Sequence, residues 1–273
     1  MQNFLSMFAG KDYTSLAIGK FDGIHLGHQV LLSKLSDNAA TIIIDTQSTT
    51  FLTSISDRMH ALPNPYVLSL ETIQHLEGRD FITMLTQSLP MLNRIVVGYD
   101  FRFGYGRKYG AYDIQKMFEK EVVIVPKVCY EGNPLHSSVI RDLLQCGQIA
   151  EANAMLNRRY RIIGSVVVGQ GLGRKELFPT INVEVFGYVV PADGVYVTYV
   201  NGQKAVSFLG HRLSTDGVYA IESHIIQGEA LPLESSITIE FCQRIRANKH
   251  FASLKDLKAQ IQHDIDYACS CDV

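Results

Sequence analysis

Hydrophobic positions follow two regimes along this chain. In the first half, continuous apolar runs at Leu16–Ile18, Thr41–Ile44, Ile95–Val97 and Val122–Val125 alternate with stretches of helical period. Runs without polar alternation suit strands buried on both faces, and they predict a parallel sheet. Between them, Asp80 stands where it can cap a helix whose Phe81, Met84 and Leu85 share one face. From Arg161 onward the period changes. Arg161–Val168, Gly194–Val200, Ala205–Leu209, Val218–Ile226 and Ser236–Phe241 are short β-rich runs separated by turns, which predict a small antiparallel barrel. One helix closes the chain: Ser253 and Asp256 have capping-box spacing, and Leu254, Leu257, Ile261 and Ile265 form a face able to cover the barrel. Helical Ala150–Leu156 and the polar stretch Asn157–Tyr160 divide the chain into domains 1–157 and 158–273.

Length agrees with two domains, since 273 residues exceed the usual single-domain range. Hydrophobic residues at 47% and charged ones at 19% describe an ordinary globular chain. A net charge of −2 argues against a long nucleic-acid or acidic-membrane surface, so any phosphate site must be a local concentration of donors. No apolar run approaches the roughly 20 residues of a membrane span, and the first residues lack a signal-peptide pattern. Five scattered cysteines read as reduced thiols of a cytoplasmic protein. Cys269, Cys271 and His263 lack the spacing of the common structural zinc motifs. No protein partner is indicated.

Parallel sheets take ligands beyond the carboxyl ends of their strands, and two chemical motifs fall there. Behind the first run comes Gly19-Lys20-Phe21-Asp22-Gly23-Ile24-His25-Leu26-Gly27-His28, a turn that becomes a helix with two imidazoles three residues apart. Unpaired N–H groups at a helix start suit phosphate, and imidazole donors can meet charge developing on it. Behind Ile95–Val97 comes Tyr99-Asp100-Phe101-Arg102-Phe103, within a segment of three cations, five aromatics and three glycines ending at Gly110. Such a loop can lay aromatic and guanidinium planes against a planar phosphorylated ligand. A third motif, His136-Ser137-Ser138-Val139-Ile140-Arg141, places a cation in the first turn of a helix ended by Gly147. There it opposes the dipole unless a phosphate is bound.

In the second half, Gly169-Gln170-Gly171-Leu172-Gly173-Arg174 is neither a dinucleotide fingerprint nor a Walker loop, yet a glycine-rich loop after a strand can cover phosphates with N–H groups. Thr180 and Asn182 in Phe178-Pro179-Thr180-Ile181-Asn182 point to one side of a strand and offer oxygens of the kind Mg²⁺ prefers. Glu222 sits in an apolar strand run, where a carboxylate is costly unless paired or used. A hydroxyl attacking a γ-phosphate needs such a proton acceptor.

Together these segments resemble the bacterial bifunctional riboflavin kinase/FMN adenylyltransferase family, in the family's order and over nearly the whole chain. The resemblance implies an α/β parallel-sheet nucleotidyltransferase domain of the H-x-G-H type, followed by a riboflavin kinase β-barrel with a C-terminal helix. It implies ATP binding by Gly19, Phe21, Asp22, Gly23 and Ser138 in the first domain, with His25, His28 and Arg141 acting on the phosphates and Asp100, Phe101, Arg102 and Phe103 beside the flavin. In the second it implies ATP binding by Gly169, Gly171, Gly173 and Arg174, Mg²⁺ on Thr180 and Asn182, and Glu222 as the base. Substrates and products would be riboflavin, FMN, FAD and ATP. Three departures stand out. His136 and Ser138 replace a serine and a threonine of the family's S-S-T-x-I-R motif, Asp45-Thr46-Gln47-Ser48 stands where a T-F-x-P-H-P segment is usual, and Phe208 replaces an asparagine. A kinase with a degenerate adenylyltransferase domain and a non-catalytic flavin-binding protein therefore remain alternatives.

Overall fold

The computed structural model describes residues 8, 10–168, 178–214, 217–226, 228, 232–233 and 235–272. The chain divides into two compact units, residues 1–137 and 138–273.

The first unit is built on five parallel strands: β1 (Ser15–Gly19), β2 (Ala39–Asp45), β3 (Pro65–Ser69), β4 (Arg94–Gly98) and β5 (Glu121–Val125), in the order β3-β2-β1-β4-β5. Four of these follow the continuous apolar runs. The fifth, β3, is an edge strand opened by a proline, where a missing N–H is tolerated. Ala17, Ile43 and Val96 face a core on one side of the sheet, while Leu16, Ile18, Ile42 and Ile95 face the other. Strand order reverses direction between β1 and β4, so the crevice beyond their carboxyl ends is the expected ligand site. Helix α1 (Leu26–Leu32) leaves the turn after β1, and α2 (Ile55–Ala61) precedes β3. Helix α3 (Gly78–Ser88) buries Phe81, Met84 and Leu85. Its N-cap is Glu77, which makes no side-chain capping bond. Asp80 sits inside the first turn, favoured there by the helix dipole rather than as the cap. Helix α4 (Ala111–Met117) leads to β5.

The second unit is a closed barrel of β6 (Tyr160–Val167), β7 (Ile181–Val185), β8 (Gly194–Val200), β9 (Gln203–His211), β10 (Tyr219–Ile225) and β11 (Ser236–Ala247). Its order is β6-β7-β10-β9-β8-β11, all pairs antiparallel. Helices α5 (Ser137–Gln145) and α6 (Ile149–Leu156) belong largely to this unit, so the units part about twenty residues before the expected boundary at 157. The cause is packing. Ile149, Ala152, Met155 and Leu156 are buried, Asn153 donates to the Phe241 carbonyl at 2.9 Å, and Ala192 N–H bonds the Leu144 carbonyl at 2.9 Å. The expected linker is itself structured: Asn157 is a left-handed C-cap and Tyr160 is fully buried at the start of β6.

Helix α7 (Leu254–Ser270) starts at Ser253, whose hydroxyl accepts from Asp256 N–H at 3.1 Å. It lies on the outer face of the barrel, where Ile261, Ile265 and Ala268 pack with Val195, Val197, Val206 and Phe208. The barrel interior instead holds a line of hydroxyls, Thr198, Ser207 and Ser223, linked at 2.7 Å each. None of the helices is long and apolar enough to cross a membrane among the described residues.

Candidate functional site

In the first unit, a cleft of about 930 Å³ opens beyond β1 and β4, at the reversal of strand order. Its walls include Gly19, Phe21, His25 and His28 from the first motif and Gly98 to Arg107 from the second.

The turn that carries the histidines is strained. Phe21, Gly23 and Ile24 all have positive φ, at 53°, 86° and 44°. For a β-branched residue such as Ile24 this conformation is a genuine outlier, and each strained non-glycine costs on the order of 1–3 kcal/mol. Side chains from elsewhere hold it. Asp22 is buried, and its Oδ1 accepts from the N–H groups of Leu52 and Thr53 at 2.9 and 3.1 Å. Arg58 of α2, also buried, donates to the Lys20 carbonyl at 2.7 Å and to that of Thr53 at 2.9 Å. Ser137 donates to the Asp22 carbonyl at 2.7 Å. Asp22 and Gly23, expected at the nucleotide site, are not among the residues lining this cleft. Asp22 is a buried tether and Gly23 supplies a backbone conformation.

His25 caps α1, and its Nδ1 accepts from His28 N–H at 3.4 Å. The two rings stack with centroids 3.8 Å apart. Phe21, fully buried, lies 5.3 Å from the His28 ring. Burial pushes the His28 pKa well below its usual value, and the charges of His25, Arg58 and His136 push it the same way. His28 is thus a neutral imidazole in the free protein, and its Nδ1 has no hydrogen-bond partner among the described residues.

The aromatic loop is ordered against α3. Gly104, at φ +73°, lets the Tyr109 ring approach; a Cβ there would lie 2.5 Å from it. Tyr109 hydroxyl donates to Glu77 at 2.8 Å. Phe103 is buried against Phe81, Phe101 and Tyr109, so it belongs to the core as well as the cleft wall. Arg102 is exposed at the cleft, as are Asp100 and Tyr99. His136, unremarked as a site residue by its sequence position, bridges to this loop. It lies 3.2 Å from the Tyr99 hydroxyl and 3.7 Å from Asp100 Oδ2. The segment replacing the usual proline-histidine run turns at Gln47, whose N–H bonds Asp45 Oδ1 at 2.8 Å, and Thr46 reaches the cleft. Ser138 and Arg141 lie near the start of α5, in the second unit.

In the second unit, strand register brings the candidate kinase residues together. Asn182 of β7 stands directly opposite Glu222 of β10, and Phe208 of β9 faces Glu222 from the other side. Thr180 precedes β7 by one residue and shares Asn182's side by alternation. This is the barrel's outer face, the side that α7 covers through Phe208 and its neighbours. Phe178 packs in the same apolar cluster, 5.5 Å from His224, whose Nδ1 is 2.8 Å from the Pro179 carbonyl. Arg212, which the sequence did not single out, lies 3.0 Å from Glu222 Oε1. Gly169, Gly171, Gly173 and Arg174 lie outside the described residues. Among the described residues no cluster of three His, Cys, Asp or Glu side chains is placed to hold a metal. Thr180 and Asn182 offer a different donor set, hydroxyl and amide oxygens beside one carboxylate, of the hard kind that suits Mg²⁺.

Comparison with known proteins bears on both units. Residues 156–271 match the riboflavin kinase family and residues 9–70 the FAD synthetase family. The chain is 28% identical to the bifunctional riboflavin kinase/FMN adenylyltransferase of Haemophilus influenzae, over 93% of this chain and 92% of that one. It is 29% identical to the protein of the same name from Escherichia coli K12, over 91% and 90%, and 28% to that of Bacillus subtilis, over 91% and 89%. A solved structure titled as a macrolide-efflux protein from Streptococcus pneumoniae superposes with a TM-score of 0.86 at 25% identity, covering 96% of both chains.

Proposed function

We propose that the two units of this chain, which match the FAD synthetase and riboflavin kinase families in turn, perform consecutive steps of flavin cofactor synthesis. The second unit phosphorylates riboflavin to FMN with ATP. The first adenylylates FMN with a second ATP, giving FAD and pyrophosphate.

For the kinase step, the carrying observation is the register that sets Asn182 opposite Glu222 with Thr180 on the same side. Glu222 accepts the proton of the ribityl 5′-hydroxyl as that oxygen attacks the γ-phosphorus. Thr180 and Asn182 would hold Mg²⁺, which supplies charge neutralisation on the transferred phosphate when bound. Phe178 and Phe208 give the apolar surface against which a flavin ring can lie. The glycine-rich motif 169–174 is the segment whose sequence suits the ATP phosphates.

For the adenylyl step, phosphate enters the cleft at the switch of strand order and meets His25 and His28 at the start of α1. An imidazole donor there stabilises charge on the α-phosphate as pyrophosphate leaves. Gly19 and Phe21 form the floor beside the adenosine, while Asp100, Phe101 and Arg102 stand on the wall suited to the flavin. The kinase-only reading gives way because the first unit keeps an open cleft with both histidines on its wall. A cytoplasmic location and small-molecule partners alone fit this reading, as do five unpaired thiols.

Product analysis tests it. Riboflavin with Mg-ATP should yield FMN and then FAD, and FMN with Mg-ATP should yield FAD directly. FMN accumulating without FAD in both incubations would leave only the kinase.

A further inference from the structure

Glu222 is held by a partner that the kinase chemistry above does not use. Arg212 Nη1 lies 3.0 Å from Glu222 Oε1, and the two side chains are only 17% and 21% exposed. Glu222 Oε2 has no hydrogen-bond partner among the described residues. Arg212 follows β9 directly, in a turn that closes on itself. Arg212 N–H bonds the Val218 carbonyl at 3.0 Å, Gly217 N–H bonds the Arg212 carbonyl at 3.1 Å, and His211 Nδ1 is 2.9 Å from the Gly217 carbonyl. Asn248 donates to the His211 carbonyl at 2.7 Å, and Phe251 N–H bonds Ser214 Oγ at 2.9 Å. The base of the arginine is therefore fixed to the segment that leads into α7.

We propose that Arg212 is a positioning residue of the kinase step: it holds Glu222 as an aimed carboxylate by binding one oxygen and leaving the other for the substrate hydroxyl. This rests on the reading of Glu222 as the base. The physical need is plain. A carboxylate flanked by Phe208 and largely withdrawn from water is disfavoured as an anion unless a charged partner and hydrogen bond compensate. A guanidinium supplies both with fixed geometry, which an ammonium does not. In the step itself, the 5′-O–H proton passes to Glu222 Oε2 and the oxygen's electron pair forms the bond to the γ-phosphorus. The bond from that phosphorus to the bridging oxygen breaks, and its pair leaves with ADP. Arg212 keeps its bond to Oε1 throughout and touches no reacting atom.

Steady-state FMN formation by the full chain, with R212M, R212K and R212A, tests the proposal, thermal unfolding reports on the fold of the barrel, and FAD formation from supplied FMN reports on the first unit. R212M should lower kcat for FMN formation by about 10²-fold, the scale of a lost acid–base contribution, with KM for riboflavin and Mg-ATP within about threefold. R212K should recover part of that loss. Guanidinium ion added to R212A should raise kcat, a rescue that a merely structural defect would not show. An unchanged kcat, or a loss confined to the KM for ATP, overturns the proposal and makes Arg212 a phosphate ligand or a bystander. If R212M loses both activities through misfolding, rescue of R212A decides, and its absence counts against the role. The underlying reading is checked separately: full activity of E222Q would remove the base itself, whatever Arg212 does.

Discussion

The imidazole of His25 lies 3.8 Å from that of His28, almost parallel at 19°, and receives the His28 backbone N–H at its Nδ1. An accepting Nδ1 places the ring proton of neutral His25 on Nε2, so the backbone bond that caps α1 also selects the tautomer. The helix start thus presents one imidazole of defined donor geometry and a second stacked upon it. Replacing His28 by alanine should lower FAD formation from FMN by about 10²-fold, the lower end for loss of one charge-stabilising donor, while FMN formation stays near wild type. An undiminished FAD yield would sink the assigned role.

The same pair carries a pH signature in stability. Burial, then the charges of His25, Arg58 and His136, hold His28 well below its usual 6.5. As pH falls through about 6.5, the imidazole of the unfolded chain takes up a proton and the folded one does not. The unfolded state then binds more protons, so stability rises with pH in this window. Stability is full above about 6.5 and is lost progressively below it, until the folded imidazole itself protonates. Urea unfolding at pH 7.5 and 5.5 should show a larger loss for the wild type than for His28→Gln. Equal losses would assign the slope elsewhere.

Asp22 illustrates a division that the amino-acid string conceals. Its two N–H bonds reach Leu52 and Thr53, thirty residues on, and it stands inside the motif without reaching the cleft. Asp22→Ala should destabilise the first unit by about 2 kcal/mol, the range for hydrogen bonds to a charged group. Because the strained turn loses its tether, FAD formation should fall as well, with FMN formation preserved. Thermal unfolding together with the two activity assays checks this, and loss of activity without any loss of stability would contradict a tethering role.

Much of the architecture was legible because it depends on local pattern. Four sheet strands announce themselves as unbroken apolar runs, and α7 by Ser253 and its apolar face. What escaped depends on distant contacts. Strand β3 begins with Pro65, lacks an unbroken apolar run and is defined by its pairing with β2. Strand β7 is signalled only through Thr180 and Asn182, and its course to Val185, with Glu184 among apolar residues, is defined by its partners β6 and β10. The compact units part at 137/138 because α6 packs on β11, a choice the linker's composition does not reveal. At the sites, the motif residues were visible, but the groups that hold them were not. Arg58 and Arg212 are single polar residues without a motif, and the bridge from His136 to Tyr99 joins two motifs that only three-dimensional proximity connects.

The C-terminal helix is fastened by a buried ion pair. Arg246 of β11 meets Asp264 of α7 through Nε and Nη2, the shortest contact being 2.7 Å, and Gln260 donates to the same carboxylate at 2.9 Å. Asp264 is 1% exposed. Removing it by Asp264→Ala leaves the arginine unpaired, which should cost about 3–5 kcal/mol. Since α7 covers the barrel face that bears Phe208 and Glu222, kinase activity should fall at lower temperature than in the wild type. Denaturant unfolding and the temperature dependence of FMN formation measure both, and a shift below about 1 kcal/mol would show the pair to be dispensable.

Glu222→Ala separates the two chemistries. The carboxylate sits opposite Asn182 on the outer barrel face, while the cleft proposed for adenylyl transfer is lined by residues of the first unit alone. Truncation removes the proposed proton acceptor and takes one carboxylate away from Arg212, so FMN formation should drop by about 10²- to 10⁴-fold, the span of a general-base contribution. FAD formation from supplied FMN should remain within about twofold, because none of the residues lining the first cleft changes. Run on one preparation, the two assays report on one fold. A matching loss in both would mean that adenylyl transfer depends on the barrel site, and independent sites would have to be abandoned.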